Sequence, residues 1–254
     1  MKRNINSLTC YSLKATNGEI GEVKEFYFDD ESWTIRYLIV KTGSWLSGRE
    51  VLLLPRAIIN VDWLDRLFSV SLTKKQISDS PDIDTDKPVY RQQEIDLYEH
   101  YAWEGYWLSG LYPGGYLGMS IPFPTTAGES LTATENDNKT PDVDLHLRST
   151  EKVRGYHAHA KDGEIGHIVD FIIDDHTWKL LYFVVDTHNW FGGKKVLIPV
   201  GHIQKVEWDN SKIYVDLMMA AVKKSEVFEE TIFNPRKAEN EIKVTLPEPR
   251  IEIH

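Results

Sequence analysis

Hydrophobic and polar residues alternate in short runs along two stretches of the chain, residues 8–72 and 153–217. Alternation with a period of two sends successive side chains to opposite faces of a strand, so each run predicts a β-strand with one buried face. Turn-forming residues separate the runs. The predicted strands span residues 8–16, 20–28, 34–42, 50–54 and 67–72 in the first stretch, and 153–161, 165–173, 179–187, 195–198 and 212–217 in the second.

The two stretches are copies of one another. Residues 17–45, NGEIGEVKEFYFDDESWTIRYLIVKTGSW, match residues 162–190, DGEIGHIVDFIIDDHTWKLLYFVVDTHNW, with 12 identities in 29 positions at a spacing of 145 residues. Such a repeat predicts a duplicated domain whose copies share one structure. The identities include Gly18/Gly163, Gly21/Gly166, Phe26/Phe171, Trp33/Trp178, Tyr37/Tyr182 and Trp45/Trp190.

Turn residues indicate how the strands connect. Asn17-Gly18 and Asp162-Gly163 are typical of type I′ hairpin turns, whose two central residues need positive φ. Asp29-Asp30 and Asp174-Asp175 precede the third strand, and neighbouring strand side chains point apart, which favours turns over paired catalytic or metal-binding carboxylates. Short strands joined by hairpins predict a mainly β fold with two small antiparallel barrels in tandem. The glycines interpreted as structural turn residues are Gly18, Gly21, Gly163 and Gly166.

The third strand of each copy is apolar on both faces. It reads YLIV at residues 37–40 and YFVV at residues 182–185. A strand with one wet face would alternate, so one face fills its own barrel and another part of the chain covers the other. The sister barrel or the connector between the copies is the expected cover, which predicts one rigid packed unit.

These residues carry a resemblance to a known family. The pattern GEIG…DFxxDDxxWxxxYxVVxT and the closing segment VSLTKKQISDSPDID resemble the PRC-barrel family, which includes the cytoplasmic domain of the photosynthetic reaction-centre H subunit and the C-terminal domain of a ribosome maturation factor. The resemblance covers residues 5–90 and 150–222, and the layout is similar to bacterial proteins with two PRC-barrels in one chain. The second copy ends VDLMMAAVKKSEVF, which departs from the family's closing form.

The pattern predicts four parts. PRC-barrel 1 spans residues 1–85, a connector spans 86–147, PRC-barrel 2 spans 148–225 and a C-terminal extension spans 226–254. The connector divides into an aromatic helical part, 88–119, and a flexible acidic part, 120–147, rich in proline, threonine and acid.

Local signals refine the connector and the tail. Thr73-Lys74-Lys75-Gln76 is a capping box, which predicts a short helical turn after the first barrel. Ile95, Tyr98 and Ala102 recur at helical spacing, with Leu97 and Tyr101 beside them. Residues 242–246 alternate before a proline, which predicts an edge strand or clasp formed by Ile242, Val244 and Leu246.

Charge argues against direct nucleic-acid binding. The chain carries a net charge of −10, with 3 Lys+Arg against 12 Asp+Glu between residues 81 and 147, and neither flanking part is strongly basic. Phosphate recognition needs a basic face. Cys10 is the only cysteine, which excludes an internal disulfide and a CxxC site. The chain shows no secretory signal and no membrane-spanning stretch, so a cytoplasmic protein is expected, with peripheral docking left open.

Two sets of residues are candidates for binding. Trp45 and Trp190 lie in glycine-flanked loops beside positive charge, and Trp103 and Trp107 form an aromatic cluster in the connector, so all four are candidate contacts for a protein partner. His157 and His159 share a strand face and His167 follows the second turn, which makes them weak metal candidates against a surface cluster.

The sequence contains no motif for a catalytic nucleophile or a phosphate loop. The family resemblance implies a docking role, since one PRC-barrel sits against a membrane electron-transfer complex and another grips a ribosomal protein. We therefore expect a non-enzymatic protein–protein interaction or assembly module without cofactor, whose partner is a protein and for which a homodimer stays open. The alternative is a small-molecule or metal-binding protein that uses a cleft between the barrels.

Overall fold

The computed structural model describes residues 1–81, 91–102, 146–187 and 193–230. The chain divides into two compact units, one of Met1–Asp79 with His146–His254 and one of Ser80–Leu145. Both repeat copies therefore belong to the same unit. The predicted boundaries at 85/86 and 225/226 stay predictions. Most of the predicted flexible part, residues 120–147, and all of the predicted clasp, residues 242–246, lie outside the described residues.

The larger unit is mainly β, as predicted, and its described strands form two seven-stranded sheets. The first copy contains β1 Lys2–Asn4, β2 Ser12–Ala15, β3 Gly18–Asp29, β4 Thr34–Thr42, β5 Glu50–Leu53, β6 Ile58–Asp62 and β7 Leu67–Val70. The second contains β8 Leu147–Ser149, β9 His157–Ala160, β10 Gly163–Asp174, β11 Leu180–Asp186, β12 Lys195–Pro199, β13 Ile203–Glu207 and β14 Lys212–Val215. The short helices are α1 Ile5–Leu8, α2 Lys74–Ser78, α3 Arg91–His100, α4 Thr150–Val153 and α5 Met219–Val222.

The two sheets have the same strand order, which confirms the duplication. The order is β5-β4-β3-β2-β7-β6 in one sheet and β12-β11-β10-β9-β14-β13 in the other. The outermost strands of each order are not paired with one another, so the sheets are open where closed barrels were predicted. The predicted antiparallel pairing holds for the hairpins, but β2 pairs in parallel with β7 and β9 in parallel with β14.

The hairpins are present, but their turns differ from the prediction. Ala15 pairs directly with Gly18, so Thr16 and Asn17 form the turn and Gly18 already belongs to β3. Gly18 has a φ of 143°, whereas Asn17 has no positive φ. The type I′ assignment is therefore wrong, and the same one-residue shift occurs in the second copy, where Ala160 pairs with Gly163.

Asn17 and its twin Asp162 act through their side chains instead. Asn17 Oδ1 accepts a hydrogen bond from the backbone N–H of Lys74 at 2.8 Å, at the start of α2. Asp162 Oδ1 accepts one from the N–H of Met219 at 2.7 Å, at the start of α5. Each first hairpin is thus tied to the helix that closes its copy, including the second copy, whose closing sequence departs from the family form.

The copies exchange their first strands. β1 pairs with β10 of the second copy, and β8, which opens the second copy, pairs with β3 of the first. Backbone bonds link the third-strand regions too, since Ile35 N–H donates to Trp178 O at 2.8 Å and Leu180 N–H donates to Trp33 O at 2.7 Å. The exchange fastens the copies to one another, which agrees with the predicted packed unit.

Aromatic rings fill the seam between the copies. Phe28 lies 6.0 Å from Phe171 between ring centroids, Trp33 lies 5.4 Å from Phe183, and Trp178 lies 6.2 Å from Phe26. Both members of the Phe28–Phe171 pair are fully buried. These rings form a packed aromatic contact between the two copies.

The outer face of the second copy has a cover that the sequence pattern did not predict. Val184 packs in a buried cluster with Ile172 and Leu197, and Phe228 lies against that cluster. Phe228 N–H donates to Lys195 O at 2.8 Å, so the segment after α5 runs along the edge of β12. The C-terminal extension thus contacts the Val184 face of the third strand, whereas Phe183 of that strand packs against Trp33 of the sister copy, which agrees with the sister barrel as an expected cover.

The smaller unit contains α3, which confirms the predicted connector helix. Leu97, Tyr98 and Tyr101 are buried, whereas Ala102 is exposed and Ile95 is half-buried. The buried face is therefore the one that carries Leu97 and Tyr101. The capping box at Thr73 is also confirmed, since Thr73 and Gln76 exchange side-chain and backbone hydrogen bonds.

Candidate functional site

A groove of about 500 Å³ opens beside the β2–β3 hairpin. Three of its residues are apolar or aromatic, and three are charged. They are Leu13, Ile20, Trp45, Glu19, Glu22 and Lys74. Strand β3 contributes the two glutamates, the loop after β4 contributes the tryptophan, and α2 contributes the lysine.

Close contact between β3 and β4 shapes the groove. A Cβ atom on Gly21 would lie 2.0 Å from the carbonyl oxygen of Lys41, so only glycine permits this approach. After β4, a single 3₁₀ turn at Ser44–Leu46 brings Trp45 back onto the hairpin. The indole Nε1 of Trp45 donates to the carbonyl of Ile20 at 2.6 Å, which holds the ring at the groove.

Trp45 is half-buried rather than fully exposed, and it already has a cationic neighbour. The ammonium of Lys74 lies 4.3 Å from the centroid of the indole ring. A cation over an indole face is attracted by the negative potential of the ring. Trp45, a predicted contact residue, thus lies in a groove where Lys74 already occupies one face of the indole ring.

Two glutamates of the groove have no polar partner in the described ranges. Glu19 and Glu22 are both exposed on β3, opposite Lys14 and Lys41 in the strand register. Neither carboxylate forms an ion pair or hydrogen bond with any residue that the structure describes. Both are available to an external donor.

The same place on the second copy carries the histidines. At the spacing of 145, Ser12, Glu22 and Lys74 of the groove correspond to His157, His167 and Met219. His157 lies directly opposite His167 in the β9–β10 register, and Glu164 corresponds to Glu19. The two sets of candidates from the sequence, tryptophan and histidine, therefore occupy equivalent sites on the two copies.

The histidines do not form a three-ligand cluster. His157 Nδ1 lies 2.8 Å from Glu164 Oε1, and this hydrogen bond lowers the pKa of the Glu164 carboxyl. His159 stacks on Tyr214 with ring centroids 5.4 Å apart. Within residues 1–81, 91–102, 146–187 and 193–230, no three His, Cys, Asp or Glu side chains are arranged to hold a metal ion.

Three predicted contacts lie outside the described residues: Trp103, Trp107 and Trp190. Trp45 is therefore the predicted tryptophan contact that can be assessed, and it is the one that lines the groove.

The aspartate pairs accept hydrogen bonds within the turns, as predicted. They also accept hydrogen bonds from the exchanged strands. Asp174 Oδ1 accepts from the N–H groups of His176 and Thr177, and these bonds lower the pKa of its carboxyl. Asp30 Oδ2 accepts from Arg148 Nε of the exchanged strand β8 at 2.8 Å. The second role could not be inferred from sequence, because Arg148 is 118 residues away.

One pair of buried carboxylates, at equivalent positions of the two copies, was not predicted from the sequence. Asp170 is 4% exposed, and burial raises the pKa of its carboxyl against the opposing hydrogen bonds from Asn4 and the N–H groups of Phe171 and Asn6. Its twin Glu25 is 7% exposed, and burial raises its pKa against a hydrogen bond from Ser149. The available signal was an acidic residue at the same position of both copies, directly before the apolar end of the strand.

The second copy is similar to a known domain family. The family model described as the PRC-barrel domain matches residues 158–221. An uncharacterized protein of Deinococcus radiodurans is 33% identical over 78 residues, which are 30% of this chain and 27% of that relative. The match thus spans about a quarter of the relative's length.

A separate observation concerns membranes. Among the helices of the described residues, none combines the length and the apolar character that crossing a bilayer would require.

Proposed function

We propose that this chain is a non-catalytic protein-binding module built from two PRC-barrel domains. The match of residues 158–221 supports the assignment of the second copy. Support for the first copy comes from its sheet, which repeats the strand order of the second. The same glycine contact also recurs, at Gly21 and Gly166.

The groove at Trp45 carries the proposal. Tryptophan is enriched among residues that dominate binding energy at protein interfaces, because its large ring contributes contact area at a low cost in conformational entropy. Here the ring is half-buried, anchored through Nε1 to Ile20, and flanked by charged side chains. An anchored aromatic with a charged rim suits an extended segment of a partner protein.

The seam supports an assembly role. Exchanged strands and buried rings hold the copies together, so the Trp45 groove and the equivalent histidine site belong to one unit. Because the two sites differ in chemistry, the module presents two different surfaces. This arrangement suits a partner that is contacted at two points.

The test is affinity capture of the tagged full-length protein from its native lysate, with lysine-specific crosslinking and mass spectrometry. We expect crosslinks from a partner protein to Lys14, Lys41 or Lys74, and their loss in Trp45→Ala. Ile59→Ala is the matched control, since Ile59 is 64% exposed and lies outside the groove. A partner whose crosslinks to these lysines are unchanged in a folded Trp45→Ala variant would exclude the groove as the binding site.

A further inference from the structure

The face of Trp45 holds a cation in the free protein. The ammonium of Lys74 lies 4.3 Å from the centroid of the Trp45 ring. The main-chain N–H of Lys74 donates a hydrogen bond to Asn17 Oδ1, whereas the Lys74 side chain makes no hydrogen bond in the described residues. The lysine side chain makes no ion pair in the described ranges. A flexible side chain of this kind can leave the ring at little cost in enthalpy.

The walls of the groove add carboxylates that have no partner. Glu19 and Glu22 both line it, and neither is hydrogen-bonded or ion-paired in the described part of the chain. A guanidinium or ammonium group bound at an indole face gains most when carboxylates lie within reach, because charged hydrogen bonds are the stronger kind. The groove thus combines an aromatic face with acceptors for a cation.

We propose that the Trp45 groove recognises a basic side chain, arginine or lysine, of the partner. The incoming cation replaces Lys74 on the indole ring and is paired by Glu22, with Glu19 as a further acceptor in the groove. This inference rests on the proposed protein-binding function and specifies the chemistry of the partner.

The equivalent site of the second copy has different side chains. Its equivalent site has Met219 in place of Lys74 and His167 in place of Glu22, and Glu164 is already hydrogen-bonded to His157. The resident cation and the two unpartnered carboxylates are therefore features of the first groove. Single substitutions at Glu22 and Lys74, of which Lys74→Met introduces the residue of the second copy, remove them one at a time.

The experiment measures fluorescence anisotropy of a labelled peptide with three arginines separated by glycines, titrated with the full-length protein at low salt. Glu22→Gln is expected to weaken binding by about fivefold, the effect of one charged contact. Lys74→Met is expected to strengthen binding by about fivefold, because it removes the competing cation. Glu31→Gln and Lys75→Met are the controls, since both residues are exposed, carry the same charges and lie outside the groove.

The sign of the Lys74→Met effect is decisive. A partner with acidic side chains would use Lys74 directly, so weaker binding in Lys74→Met, together with preference for a triglutamate analogue, would overturn the proposal. Absence of peptide binding, or equal effects in Glu22→Gln and Glu31→Gln, would also overturn it. If groove crosslinks to a captured partner persist in that case, the basic-side-chain inference fails and the protein-binding function stands. If they are absent too, both fail.

Discussion

The two copies of the repeat share a backbone and differ at one surface. Both have the same strand order, the same exchanged first strand and the same glycine contact between their second and third predicted strands. At the hairpin site, however, the first copy has Ser12, Glu22 and Lys74 where the second has His157, His167 and Met219, although the loop tryptophan is shared as Trp45 and Trp190. Residues that packing requires were kept in both copies, whereas residues that face solvent diverged.

Equivalent arginines of the two copies make equivalent contacts at the seam. Arg3 lies over the ring of Trp63 at 4.2 Å and donates to Asp175 of the other copy at 3.1 Å. Its twin Arg148 lies over Trp208 at 4.1 Å and donates to Asp30 at 2.8 Å. Each exchanged arginine therefore contacts both copies at once.

The largest expected effect tests the shared backbone. Gly166→Ala would place a Cβ 1.9 Å from the carbonyl oxygen of Asp186, and Gly21→Ala would do the same at Lys41. Because the neighbour is backbone, each change is expected to lower the free energy of unfolding by about 3 kcal/mol. Urea unfolding measures it. Gly201→Ala is the control, with nothing within 4 Å of its added Cβ, and an equal loss there would contradict the explanation.

The next largest effect compares the two equivalent arginines of the seam, Arg3 and Arg148. Arg3→Met leaves the 6%-exposed Asp175 carboxylate with the N-terminal ammonium of Met1 but without its guanidinium, so a loss of about 2 kcal/mol in unfolding free energy is expected. Arg148 is more exposed, at 26%, so Arg148→Met is expected to cost about 1 kcal/mol. Chemical denaturation of both variants checks the order. Equal costs would show that burial of the ion pair does not set its contribution.

The buried carboxylates give a pH dependence. Burial raises the folded-state pKa of Asp170 and of Glu25, so the folded protein holds these protons more tightly than the unfolded chain. Their contribution to stability is therefore fully present below the ordinary carboxyl pKa and is lost as pH rises through the raised folded pKa. Asp170→Asn is expected to remove part of that decline in urea unfolding measured between pH 4 and pH 7. A decline identical to the unsubstituted protein would mean that Asp170 does not titrate in this way.

The smallest expected effect concerns the tie between hairpin and closing helix. Asn17→Ala and Asp162→Ala each remove one side-chain acceptor for a helix-start N–H, so a loss of about 1 kcal/mol is expected from each. Thermal unfolding measures both. Asn210→Ala is a control on an exposed turn, where Nδ2 donates only to Glu207 at 3.2 Å. If Asn17→Ala behaves like this control, the tie contributes nothing to the first copy.

Much of the fold could be predicted from local patterns. Alternation located the hairpin strands, and the repeat predicted that both copies would agree, because strand patterns and turn residues act over a few positions. Four strands were missed. β1 and β8 have three residues each, which is too few for a periodic signal. β6 and β13 have five residues each, but none of these residues is fully buried, so they show no alternating apolar face. The turn type was missed because Asn17 contributes its side chain to a helix 57 residues away.

The candidate site was predicted only in parts. Trp45 was singled out from its loop, and the histidines from their spacing. His157 and His167 take the places of Ser12 and Glu22 beside the groove, which follows from the repeat spacing and from the register of β2 with β3 and of β9 with β10. Lys74 and Glu22 were not singled out, because nothing local connects residues 22, 45 and 74. A strand, a loop and a helix bring them together.

The sequence by itself determined the duplication, the β character and the acidic balance of this protein, since these depend on local periodicity and composition. Tertiary structure decided which copy each first strand joins, what covers the outer face of the second sheet and where the carboxylates Glu25 and Asp170 are buried. Those outcomes depend on which distant surfaces bury apolar area and satisfy hydrogen bonds together. Contacts of that kind, such as Arg3 with Asp175, join residues far apart in the chain, so no local pattern of residues can specify them.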